Sequence, residues 1–116
     1  MKELYSIATG AQTAPLLASA SHCAGLIAAA KEDVSVARRH LEDAVDLFEK
    51  SGAPFESASA RLDLACVLQT IGRIDPALAE VESALEALTP LGAGIEIARA
   101  KVIREGLTTA ESIANP

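Results

Sequence analysis

Two histidines, two cysteines and a carboxylate-rich segment are the residues of this sequence that could carry out chemistry. A cysteine nucleophile needs a histidine ring that faces its sulfur. His22 and Cys23 are adjacent, and neighbours on a helix lie about 100° apart and do not face each other. His40 and Cys66 are distant in sequence, and no two cysteines or histidines have the short spacing of paired metal ligands. We therefore expect no catalytic residue, no metal ligand and no cofactor.

A glycine pair offers a weak candidate for phosphate binding. Gly92-Ala93-Gly94 precedes a predicted helix, where free backbone N–H groups can bind an anion. The lysine and hydroxyl residue of a nucleotide-binding loop do not follow, and Glu96 adds negative charge at that place. The segment is better interpreted as a glycine turn between two helices.

The acidic segment in the first half of the chain has a simpler interpretation than acid–base chemistry. Its carboxylates are Glu42, Asp43, Asp46 and Glu49. Opposite charges lie four residues away in the pairs Arg38–Glu42, Arg39–Asp43 and Asp46–Lys50. This pattern is typical of a solvated helix face.

Composition limits the fold and function classes. The 116 residues correspond to one domain, and half of them are apolar, which excludes a disordered polar chain. Alanine accounts for 24 residues and aromatic residues for 3%, which argues against a β-sandwich. The net charge of −6 disfavours direct binding of nucleic acid, which needs a basic face.

The first thirty residues include a long run without charge, residues 4–30. Gly10 and Pro15 interrupt this run, and its many alanines and serines contribute little energy to membrane insertion. Residues 1–3 also lack the basic character of an export signal. We expect no membrane association, a cytoplasmic location, and two cysteines that are free thiols.

The sequence repeats itself at an interval of 40 residues. Gly-Ala recurs at 10–11, 52–53 and 92–93, and a shift of 40 aligns Ala18/Ala58/Ala98, Ala37/Ala77, Glu42/Glu82, Ala44/Ala84 and Arg61/Lys101. The chain is thus one helical-repeat domain over 1–116, with units at about 13–52 and 53–92 and a partial unit at 93–116. Leu4-Tyr5-Ser6-Ile7 resembles the end of a preceding helix. The chain is therefore either an excerpt of a longer array or a domain capped by its last helix.

Each unit is predicted to contain two helices, a first helix A and a second helix B. The predicted bounds are 15–30, 34–50, 54–71, 75–90 and 94–113, which gives an all-α fold with about five helices. Gly52 and Gly92 supply the left-handed residue past a helix end. Pro15, Pro54 and Pro76 lie in first turns, and Asp75 is the predicted N-cap of the fourth helix.

The small residues at fixed positions resemble those of tetratricopeptide repeats. Ala24-Gly25, Ala28, Ala37, Leu41 and Ala44 match the family pattern in the first unit, and Leu64-Ala65, Leu68, Ala77, Val81 and Ala84 match it in the second. Ser21 and Arg61 replace the large aromatic residue of helix A, and the unit is longer than the family's roughly 34 residues. The resemblance implies a right-handed stack of antiparallel helical hairpins.

One segment is similar to a particular branch of such repeats, that of large bacterial transcriptional regulators of the LuxR type with MalT-like domains. It contains Gly52-Ala53-Pro54, an alanine-rich helix, Gly72-Arg73 and Asp75-Pro76-Ala77. The similarity implies a protein–protein interaction domain that relays signals in a bacterial regulator. The DNA-binding helix-turn-helix of that branch has no counterpart in this sequence. The alternative is a free-standing tetratricopeptide-type adaptor or scaffold in another pathway.

The resemblance also implies a concave groove lined by the A helices, where partners bind. The corresponding positions are Ser19, His22, Leu26, Ser59, Leu62, Cys66, Gln69, Arg99 and Val102. The family's carboxylate clamp needs several basic and amide residues, and only Arg99 is present. A small apolar groove suits an amphipathic helix of another protein, a second copy of this chain, or flanking repeats that cover it.

Overall fold

Five helices joined by short turns form the part of the chain that the computed structural model describes, which is residues 13–114 for the backbone and 16–109 for side chains. The helices are α1 (Thr13–Ala30), α2 (Val34–Lys50), α3 (Pro54–Thr70), α4 (Ile74–Leu91) and α5 (Gly94–Ala114). Residues 13–114 contain no strand, which confirms the all-α prediction, and each predicted helix end is correct to within two residues. Leu4-Tyr5-Ser6-Ile7 and Gly10-Ala11 lie outside the described residues.

All four turns have the same backbone geometry and recur every 20 residues. A residue with positive φ ends each preceding helix: Glu32 (63°), Gly52 (68°), Gly72 (76°) and Gly92 (65°). The next residue donates its N–H to the carbonyl five residues back, in the pairs Asp33–Ala28, Ala53–Phe48, Arg73–Leu68 and Ala93–Leu88. This arrangement is the Schellman ending, in which a glycine adopts the left-handed conformation without strain. The predicted glycine endings at Gly52 and Gly92 are confirmed.

The predicted N-cap of the fourth helix is wrong by two residues. The helix begins at Ile74, and Arg73 is its N-cap without a side-chain hydrogen bond. The turn dictates this position, because the residue after Gly72 closes α3 with its N–H and accepts the Ala77 N–H at 3.1 Å with its carbonyl. Asp75 is instead the second residue of α4, where its carboxylate favours the positive end of the helix dipole.

Helices that follow each other in the chain pack antiparallel and close together. The His22 ring meets Phe48 and Gly25 meets Leu41, so residue numbers rise along α1 as they fall along α2. A Cβ atom at Gly25 would lie 2.7 Å from the Cγ atom of Leu41, which is fully buried. The backbone of α1 therefore approaches α2 more closely than a side chain at position 25 would allow.

The small–large–small positions of the two B helices form the centre of the core. Ala37, Leu41, Ala44, Ala77, Val81 and Ala84 are all fully buried. The A helices contact one another, α1 with α3 and α3 with α5, whereas α2 and α4 do not touch within the described range. One side of the molecule is therefore a continuous surface of α1, α3 and α5.

The helices over residues 13–114 are too short or too polar to cross a membrane. In the charge-free N-terminal run, the described helix α1 contains Ser19, Ser21 and the half-buried His22, and its Ala18 is fully buried against the other helices.

We expect Gly25→Ala to lower the free energy of unfolding by about 1–2 kcal/mol. Overpacking a filled core costs about 1–3 kcal/mol, which exceeds the roughly 0.5–1 kcal/mol that alanine gains over glycine within a helix. Urea denaturation followed by circular dichroism measures this difference.

Gly106→Ala is the matched control, since its new Cβ would meet no atom closer than the Gln69 Nε2 atom at 3.9 Å. This variant keeps only the helix-propensity gain and becomes more stable by up to about 1 kcal/mol. Equal stabilisation of both variants would contradict the close approach of α1 and α2.

Candidate functional site

Eight of the nine sequence-derived groove positions are at least partly accessible on α1, α3 and α5. Ser19, Leu26, Cys66 and Val102 are exposed, and His22, Ser59, Gln69 and Arg99 are half-buried. Leu62 is fully buried in the core and lines no groove, which corrects that prediction. Helix geometry explains the error, because one residue turns the side chain by about 100° and the next residue, Asp63, reaches the surface instead.

Asp63 is the polar centre of this surface, and the sequence analysis did not select it. His22 on α1 donates a hydrogen bond from Nε2 to the Asp63 Oδ2 atom over 2.6 Å. Arg99 on α5 donates from Nη2 to the other carboxylate oxygen, and its Nη1 lies 3.5 Å from a carboxylate oxygen of Glu96. One carboxylate on α3 therefore ties together the three A helices.

The charges within this cluster reinforce each other. Burial by itself raises the pKa of Asp63, but hydrogen bonds from His22 and Arg99 and the charge of Arg99 outweigh it, so the pKa lies below its ordinary value of 3.8. Burial lowers the pKa of Arg99, and the hydrogen bond and charge of Asp63 more than offset it, so the net shift is upward. Both groups are charged at neutral pH, and the pair is stable as an ion pair.

The geometry of the cluster suits holding helices together better than acid–base chemistry. Both carboxylate oxygens of Asp63 and the Nε2 atom of His22 are already engaged. The His22 ring also packs edge-on against Phe48 of α2, with the centroids 6.1 Å apart and the planes at 83°. These contacts fix the imidazole in one orientation between three helices.

Cys66 lies one turn after Asp63 at the edge of the same surface. Partial burial of its sulfur raises the pKa of the Cys66 thiol, Arg99 lowers it, and the charge of Asp63 raises it further, so the net shift is upward. The thiol stays protonated at neutral pH and is a poor nucleophile. Cys23 and Cys66 are both free and exposed.

Other charged groups that the sequence singled out lie on solvated faces. Within the described residues, no group of three or more histidine, cysteine or carboxylate side chains is placed to hold a metal ion. Glu42, Asp43, Asp46 and Glu49 are all exposed on α2, and Arg38 pairs with Glu42 at 3.2 Å, which confirms a solvated face. Gly92-Ala93-Gly94 forms the turn into α5, as interpreted from the sequence.

Ion pairs also connect the B helices to the A helices. Arg61 on α3 donates to Glu80 on α4 at 2.8 Å and lies 3.3 Å from Glu49 on α2. This arginine occupies the position where the family pattern has a large aromatic residue. Its stem and charge bridge two neighbouring helices at the place that an aromatic ring would fill.

The α1–α3–α5 surface has an apolar end beside the Asp63 cluster. Phe55 and Ile95, which are 40 residues apart, line a shallow depression with Ala93, Gly94 and Glu96. Phe55 is 43% exposed and Ile95 is 87% exposed. We refer to these two side chains as the apolar ledge.

No protein family model, curated protein or solved structure matches this chain. The tetratricopeptide-type pattern is therefore a resemblance carried by the residues named above.

Asp63→Asn tests the ion-pair cluster. We expect it to lower the free energy of unfolding at pH 7 by about 1–3 kcal/mol, because His22 and Arg99 lose a charged hydrogen-bond acceptor. Since the pKa of Asp63 in the folded chain lies below 3.8, the native contribution is complete above that pH and disappears as the pH falls through it. Urea titrations at pH 7, 5, 4 and 3 should show the two proteins converging in acid.

Glu42→Gln is the control for this comparison. The Arg38–Glu42 pair is exposed, and removing it should change stability by less than about 0.5 kcal/mol at every pH. A constant difference between Asp63→Asn and the native chain from pH 7 to pH 3 would argue against the lowered pKa.

Proposed function

We propose that this chain is a protein-interaction domain built as a tetratricopeptide-type right-handed stack of helical hairpins. The 40-residue repeat, the small–large–small core positions and the contacts among the A helices support this architecture. In such a stack, α1, α3 and α5 line the binding groove.

The apolar ledge is the observation that carries the proposal. An aromatic and a branched aliphatic side chain lie exposed beside each other at the N-terminal ends of two A helices. Contiguous exposed apolar surface on an otherwise polar protein marks an interaction site. Glu96 and Arg99 flank the ledge and supply polar groups at its rim, as interfaces with an apolar centre require.

The partner that fits this surface is an amphipathic helix with one aliphatic or aromatic anchor residue. The anchor would rest on Phe55 and Ile95, and the rest of the helix would follow the groove past Asp63. The net charge of −6 favours a partner whose rim residues are basic.

The ion-pair cluster gives the groove a means to relay binding. Arg99 holds Asp63 and also borders the ledge through Glu96, so a partner at the ledge acts on the same side chains that join α1, α3 and α5. This coupling agrees with a signal-relay domain of a LuxR-type bacterial regulator with MalT-like repeats. The second candidate is a free-standing adaptor, which the same groove would serve.

Ile95→Asp tests the groove. A photo-crosslinking residue at position 95 identifies the partner in the organism of origin, and calorimetric titration then measures the affinity of the purified partner. We expect Ile95→Asp to weaken binding at least about tenfold, since the anchor would meet a charge in place of apolar surface.

Leu16→Asp is the matched control, because Leu16 is an equally apolar, 69% exposed residue of α1 away from the ledge. Its affinity should equal that of the native chain. Binding that survives Ile95→Asp unchanged, with an intact circular dichroism spectrum, would contradict the proposed groove.

The relay and adaptor hypotheses differ in the size of the natural polypeptide. An antibody against this sequence should detect, in a blot of the source cells, a band well above 12.0 kDa if the domain is part of a regulator. A single band near 12.0 kDa would favour the adaptor.

A further inference from the structure

The outward face of α5 carries apolar residues at repeat positions that are buried elsewhere in the stack. Ala98 and Val102 correspond, at the 40-residue interval, to Ala58 and Leu62 of α3. Leu62 is 0% exposed, whereas Val102 is 68% exposed. The same positions of the repeat are thus core on one A helix and surface on another.

The interface between α3 and α4 shows what covers these positions. Ala58 and Leu62 belong to one core cluster together with Ala77, Val81 and Ala84 of α4. The covering helix therefore presents small residues on either side of a branched aliphatic one, at spacings of four and three residues. A helix with this pattern is the natural complement of the outward face of α5.

Charge at the α3–α4 interface narrows the choice of helix. Arg61 of α3 pairs with Glu80 of α4 at 2.8 Å, and its counterpart on α5 is Lys101. Lys101 is exposed and forms no ion pair with the described residues. An acidic residue one position before the branched aliphatic residue of a docked helix would meet Lys101, as Glu80 meets Arg61.

Glu105 adds a second requirement. It stands at the repeat position of Ala65, which is fully buried on α3, so a helix docked on α5 would partly desolvate this carboxylate. Because the two helices run antiparallel, four residues further along α5 correspond to about four residues earlier on the docked helix. The docked helix therefore needs a lysine or arginine four residues before its acidic residue.

We infer that the outward face of α5 is a docking site for one amphipathic helix of a separate protein, with the α4 pattern of small and branched residues and a base–acid pair four residues apart. The docked helix continues the stack as α4 continues it from α3. This surface is distinct from the groove, so the two proposals stand or fall separately.

A fluorescent peptide provides the probe. It has the sequence of residues 74–91 with Pro76→Lys, which places a lysine four residues before Glu80 and keeps Ala77, Val81 and Ala84. Fluorescence anisotropy with the whole chain should show saturable binding. Val102→Asp in the chain should weaken it about tenfold, since a charge replaces apolar contact area.

A charge exchange makes the test specific to the proposed orientation. Lys101→Glu in the chain should weaken binding severalfold, and a peptide that also carries Glu80→Lys should restore it. Ile27→Asp, a similar change on the 56% exposed Ile27 of α1, should leave the affinity unchanged. All three chain variants alter exposed residues, and circular dichroism verifies their helicity.

Three outcomes would overturn the inference. The first is the absence of saturable binding by the peptide. The second is binding that ignores Val102→Asp or the charge exchange, which would mean that the peptide displaces α4 from α3. The third is a dimer in sedimentation velocity that Val102→Asp converts to monomer, because a second copy of the chain would then cover this face. The groove test with Ile95→Asp is unaffected by any of them.

Discussion

Alanine-rich helices bury little apolar area each, so this fold depends on how closely their backbones approach. Gly25 permits α1 to lie directly against Leu41, and buried alanines flank the large residue on both B helices. The fully buried large side chains of the described range are few: Leu41, Leu62, Leu88, Leu107 and Val81. Each of them fills space between helices that small neighbours have brought together, which is why the repeat retains its small residues most consistently.

Polar contacts supply the directional information that small side chains lack. Alanine faces can slide along each other with little change in contact, whereas a carboxylate held by two donors from different helices has one good position. Asp63 fixes the offset among the A helices, and Arg61 fixes α3 relative to α2 and α4. The two clusters lie on opposite sides of α3, so the central helix is oriented from both sides.

The fold was more predictable than the site because turns are local and side-chain clusters are not. Glycine and proline positions predict the helix bounds, since the left-handed residue and the first-turn proline act within a few residues. Glu32 occupies the same left-handed position as the three glycines, and its residue type gives no such signal. The turn, rather than the side chain of Asp75, determined where α4 is capped.

The site required knowledge of rotation about the helix axis. Leu62 and Asp63 are adjacent, and the family alignment placed the groove one residue too early on α3, although it identified His22 and Arg99. Asp63 joins residues 41 and 36 positions away, a relation that no fixed repeat interval reveals. Val102 was assigned to the groove, and its repeat partner Leu62 places it on the stack's outward face instead.

The turns and the helix faces follow different periods. Identical turns recur every 20 residues, whereas the pattern of buried faces recurs every 40, because A and B helices differ. Losing or gaining one helix would leave every turn intact and yet exchange A-type for B-type surfaces along the rest of the array. Tandem duplication can therefore lengthen such a chain in steps of one hairpin, and frame-preserving changes of half that size are selected against by packing alone.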